Sequence, residues 1–145
     1  MKLFAMMKHM TGKEIITKVK ALNLPKHSYV VFGSGPLAAT GIREAGDIDM
    51  YVTQDVLDSF IKSGWKQVHK GPDDEPYTYE DYEAHANWSF SPYAPTLQHL
   101  LKTAIIIDGV SFASLEEVRR WKLESGGEKH LADVARIDAY RAKDN

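Results

Sequence analysis

The chain has 145 residues, 43% of them hydrophobic, with a formal net charge of −2 and no cysteine. Length and apolar share suit one domain, 1–145, with a single sizeable core. The charge balance excludes polyanion binding by bulk electrostatics, leaving only a local patch to hold an RNA end. The missing cysteines exclude disulfides, thiolate zinc sites and cysteine nucleophiles. Met1 to Lys8 is too short an apolar run for a signal segment or a membrane span, so a soluble, cytoplasmic protein with no membrane partner is expected.

In chain order, Thr11 to Glu14 is a capping-box pattern opening a helix through Leu22, with Ile15, Ile16, Val19 and Leu22 on one stripe. Ser28 to Phe32 is a short, apolar, β-rich run and reads as a buried strand. Gly33-Ser34-Gly35-Pro36 makes a turn into a short helix, Leu37 to Ile42, whose start would turn free N–H groups toward an anion. Asp47 to Val52 reads as the next strand. Side chains alternate along it, so Asp47 and Asp49 share a side while Ile48 and Met50 take the other. Thr53 caps a helix from Gln54 to about Lys62, ended by Gly64. Trp65 to His69 is expected as a strand, and Gly71 to Pro76 as a polar turn or a small mobile loop.

Tyr77 to Trp88 alternates, with Tyr82, Ala84, Ala86 and Trp88 on one face and Glu83, His85 and Asn87 on the other. Thr96 opens a helix through Ala104, and Asp108-Gly109 between two apolar triplets is a hairpin signal. Ser114 to Glu117 is a second capping box, opening a helix through about Leu123, and a last helix covers about Lys129 to Lys143. The fold class expected is α/β (α+β): a mixed β-sheet with the strands near Tyr29–Phe32, Ile48–Val52 and Tyr82–Trp88 as neighbours, and helices packed against one face.

Two neighbouring carboxylates repel unless a cation neutralises them, and hard oxygen donors suit Mg²⁺. A Gly-Ser turn followed by Asp47-x-Asp49 therefore places phosphate and metal chemistry together. No Gly-Lys-Ser/Thr is present, and Ala38 stands where a dinucleotide fingerprint needs its third glycine. The six histidines show no His-x₃-His spacing, which argues against zinc, and His85 is expected to pack or meet solvent.

The block from Tyr29 to Val52 resembles the nucleotidyltransferase superfamily related to DNA polymerase β. The 13 residues from Ser34 to Asp47 make it more similar to the branch of type IV toxin–antitoxin nucleotidyltransferases. That resemblance implies that Gly33 and Ser34 hold the phosphates of an NTP, ATP first among them, and that Asp47 and Asp49 hold Mg²⁺. It implies a third metal-binding and catalytic acid, for which Glu83 is the candidate. Arg43 falls where the branch carries an arginine for triphosphate charge. Lys129 and Asp133 match its C-terminal Lys-Asp-x-x-Asp, with His130 replacing the first acid and Asp133 orienting Lys129. The activity implied is transfer of NMP to a hydroxyl on a small molecule, a protein or an RNA, from a chain short enough to use a homodimer partner for its acceptor pocket. The alternative is a regulatory module of the same fold that binds nucleotide without turnover.

Overall fold

Tyr29–Phe32 is an uninterrupted apolar run, and all four residues are buried. A strand can bury every side chain only when both sheet faces are covered. The computed structural model, which describes residues 9–88 and 92–143, shows that arrangement. In chain order its elements are α1 (Gly12–Lys20), β1 (Tyr29–Phe32), α2 (Gly35–Ala39), β2 (Ile48–Val52), α3 (Gln54–Lys62), β3 (Lys66–Gln67), β4 (Tyr77–Tyr79), β5 (Tyr82–His85), α4 (Leu97–Thr103), β6 (Ile105–Ile107), β7 (Val110–Phe112), α5 (Leu115–Ser125) and α6 (Glu128–Lys143).

The strands form one mixed sheet in the order β3-β4-β5-β2-β1-β7-β6. β1 runs antiparallel to β2 and parallel to β7, and β2 runs parallel to β5. The expected neighbours β1, β2 and β5 therefore lie side by side at the centre. Helices cover both faces, not one as the sequence reading had it. Tyr29 and Val31 of β1 meet Ile15 and Val19 of α1 and Val56, Leu57 and Phe60 of α3 in one core layer. Val30 and Phe32 point the other way, into a layer with Leu100 of α4, Leu115 and Val118 of α5 and Ile137 of α6.

The caps explain where several helices start. Thr11 and Glu14 complete the expected capping box on α1, and Thr53 and Thr96 accept from Val56 N and His99 N. At α5 the expected box is only half made: Ser114 Oγ accepts from Glu117 N, but the Glu117 carboxylate turns away to the Tyr93 hydroxyl at 2.7 Å and His99 Nε2 at 2.8 Å. The hairpin β6–β7 forms as expected, with Asp108 and Gly109 at φ 49° and 82°, the left-handed pair that a two-residue turn of this kind needs.

Two expected strands are shorter than the sequence suggests. The strand expected over Tyr82–Trp88 ends at His85, and it is preceded by β4 in a hairpin turned at Glu80 with φ 51°. The strand expected over Trp65 to His69 is limited to Lys66–Gln67. Of the two readings for Gly71 to Pro76, the polar turn holds, closed by hydrogen bonds from Asp74 N to Gly71 O at 3.0 Å and from Lys70 N to Asp74 O at 2.8 Å.

Candidate functional site

Register builds the centre of the site. Asp49 on β2 stands opposite Phe32 of β1 on one side and opposite Glu83 of β5 on the other. Directly opposed residues in a sheet share a face, so both carboxylates leave the sheet together, on the Phe32 side. His85 lies two residues beyond Glu83 and so shares its face. Donor atoms of Asp49, Glu83 and His85 all lie within 4.8 Å of one another. Asp47, just before β2 and exposed, lines the same cavity without joining that cluster.

Gly33 closes the end of β1 over this centre. Its φ is +65°, and a Cβ there would collide with Asp49 Oδ2, so both backbone conformation and space demand glycine. Gly35 has a different reason: a Cβ there would strike Val31 Cγ1, so its role is close packing of α2 on the sheet. Ser34 caps α2 by position, half-buried, and its hydroxyl makes no capping hydrogen bond. The helix is only Gly35–Ala39, and Pro36 removes one of its leading N–H groups. The helix start therefore offers an anion less than the sequence reading expected.

The cavity measures about 410 Å³. Asp47, Asp49, Lys70, Asp74, Glu83 and His85 form its polar side, and Trp88, Trp121, Ser125 and His130 complete the wall. A larger cavity of about 580 Å³ lies over Gln67, Tyr77 and Ala84 against α3 and shares only His85 with it. The carboxylates belong to the smaller one.

Electrostatics there follow from burial. Desolvation, then the charges of Glu83 and Asp47, push the Asp49 carboxyl well above its ordinary range. Burial also raises Glu83, against the opposing hydrogen bond from Lys70 Nζ to its Oε2 at 2.6 Å. Burial works against the charge of Lys70, but Glu83, Asp47 and Asp49 together outweigh it and raise Lys70. His85 is pushed down to about 4 by burial, with its ring edge-on to Trp88 at 4.9 Å. Without a cation the acid pair is partly neutralised by one ammonium, and a divalent ion fits the remaining demand for positive charge.

Arg43 and Lys129 are placed elsewhere. Arg43 grips Asp133 in a fork, Nε to Oδ1 and Nη2 to Oδ2, each at 2.7 Å. Lys122 Nζ at 2.9 Å and Arg136 Nη1 at 2.9 Å complete a three-cation shell around that carboxylate. Asp133 is thus held far below the usual carboxylate range, despite its burial. It does not orient Lys129, which is exposed at the start of α6 and does not line the cavity. Lys122 also lies 3.3 Å from His130 Nδ1, which joins this shell to the cavity wall.

The structure thus brings Gly33, Asp47, Asp49 and Glu83 together and leaves Arg43 and Lys129 outside. It adds Lys70, which the sequence reading passed over, and sets His85, which was expected to pack or meet solvent, against the two carboxylates. Alternation already put His85 on the Glu83 face; Lys70 had no signal, because it reaches Glu83 from an irregular turn. No protein family, curated protein or solved structure matches this chain.

Proposed function

We propose that the chain is a Mg²⁺-dependent nucleotidyltransferase. The observation that carries this reading is the in-register pair Asp49–Glu83, with Asp47 on the same cavity and the Cβ-free Gly33 turn directly over Asp49. Asp47, Asp49 and Glu83 would hold Mg²⁺, which when bound supplies Lewis-acid neutralisation of phosphate charge. Gly33 lets backbone approach the phosphates, and Lys70 sets a positive charge against them. The Glu83 carboxylate accepts the proton of the acceptor hydroxyl. The acceptor oxygen then bonds to the α-phosphorus as the bridging P–O bond breaks, and pyrophosphate leaves.

A second reading, nucleotide binding without turnover, draws on one observation: the Lys70 ammonium sits on the oxygen of the carboxylate that would act as base. One experiment separates the two. The protein is incubated with Mg²⁺, each NTP and candidate hydroxyl acceptors, and pyrophosphate and acceptor mass are followed together. Turnover gives pyrophosphate matched by an acceptor heavier by one NMP, and Glu83→Gln removes both. Bound nucleotide with neither product would leave only the second reading, and pyrophosphate release unchanged by Glu83→Gln would remove Glu83 as base.

A further inference from the structure

On β5 the residues Glu83 and His85 stand two apart and so face the same way, and their partners across β2 are Asp49 and Tyr51. The imidazole is therefore delivered to the carboxylates by strand geometry. Donor atoms of Asp49, Glu83 and His85 fall within 4.8 Å of one another. Adjacent donors on one side of a small divalent ion lie about 3 Å apart, so side-chain rotations that draw the three atoms in by up to about 2 Å close the set. Edge-on packing against Trp88, at 4.9 Å and 73° between planes, limits how far the His85 ring can swing.

Donor chemistry then chooses the ion. Mg²⁺ is served by carboxylates and water and gains little from imidazole, whereas first-row transition ions bind mixed nitrogen and oxygen sets well. We propose that His85 is a metal ligand, and that Asp49, Glu83 and His85 form a mixed-donor centre taking a divalent transition cation in preference to Mg²⁺. The inference rests on the reading that these carboxylates hold a cation at all. Three donors on one side of the ion leave positions open for water or phosphate oxygens.

The test uses the full chain and Mn²⁺ alone, with no nucleotide. Calorimetry compares Mn²⁺ with Mg²⁺ on the wild type, His85→Phe and Asp49→Asn, and pulsed EPR of the Mn²⁺-loaded wild type looks for modulation by a directly bound nitrogen. The wild type is expected to bind Mn²⁺ at least about tenfold more tightly than Mg²⁺ and to show the nitrogen signal. His85→Phe, which keeps an aromatic edge for Trp88, is expected to lose that preference and the signal while Mg²⁺ affinity stays within about twofold. Bound Mn²⁺ without nitrogen modulation in the wild type would overturn the inference and leave the carboxylate reading standing. No binding of either cation would sink both. Because the spectroscopic result comes from the wild type, a variant that fails to fold does not shelter the proposal.

Discussion

At Asp49, burial and the charges of Glu83 and Asp47 all disfavour ionisation. A carboxyl raised in the folded state contributes stability that is full below its unfolded pKa and is lost as pH rises through the folded one. The metal-free protein is therefore expected to gain from this group on acidification. Asp49→Asn should stabilise it near neutral pH by about 1–2 kcal/mol, read from melts with a chelator present. Equal melting temperatures at pH 7 would mean that Asp49 carries no such cost. His85 gives the complementary sign. Lowered to about 4 from an ordinary 6.5, it favours the neutral form, so its contribution is complete above 6.5 and disappears as pH falls toward 4. An NMR titration of its ring should find a midpoint near 4, and one near 6.5 would contradict the burial. Lys70 competes with any entering cation for Glu83, so Lys70→Met is expected to tighten Mn²⁺ binding about tenfold, ~1.4 kcal/mol by calorimetry. At this scale Gly33, Asp47, Asp49 and Glu83 were legible because each follows from a local turn or an alternating pattern. His85 was placed on the Glu83 face but read as packing or meeting solvent, because helical His-x₃-His spacing was the ligand pattern sought, while its partner carboxylates sit two residues away and across a strand.

At the scale of elements, α5 and α6 show how far local spacing carries. The spacing of Lys129 and Asp133 predicts a pair on one helix face. The fold instead turns Asp133 inward to Arg43, which lies 90 residues away, and to Lys122 on α5. Asp133 and Lys122 are only 3% and 4% exposed, so breaking this shell strands buried charge. Asp133→Ala is expected to cost about 3–5 kcal/mol in denaturant unfolding, because the partners lose their counter-charge. Arg136→Ala should cost under about 1 kcal/mol, since that arginine is half exposed and one of three cations. Comparable losses from the two would contradict the hub. Asp133 is depressed in the fold, so its contribution is present above the unfolded carboxylate range and is lost as pH falls below it. Capping was the more legible signal: Thr11, Thr53 and Thr96 start their helices as the sequence suggests. The turn of Glu117 toward Tyr93 and His99 was not, because those partners lie 24 and 18 residues away.

Across the whole molecule, the adjacency of β1, β2 and β5 makes a site out of separate sequence signals. That they are neighbours was anticipated from the need to gather Gly33, Asp49 and Glu83 on one cleft. The two-sided cover of the sheet was written in the unbroken apolar run Tyr29–Phe32, since a one-sided sheet would alternate apolar with polar residues. The β4–β5 turn was hidden because Glu80 adopts φ 51° with no glycine or asparagine to announce it. Among the described residues no helix is long and apolar enough to cross a membrane. The central claim is that the Asp49–Glu83 pair binds nucleotide through a divalent cation. Calorimetry of ATP into the wild type and Asp49→Asn, each with Mg²⁺ and with a chelator, tests it most directly. The account predicts binding to the wild type only with Mg²⁺ and a loss of at least about 100-fold, ~2.7 kcal/mol, in Asp49→Asn. Equal affinity in the two proteins, or binding that persists in the chelator, would contradict it.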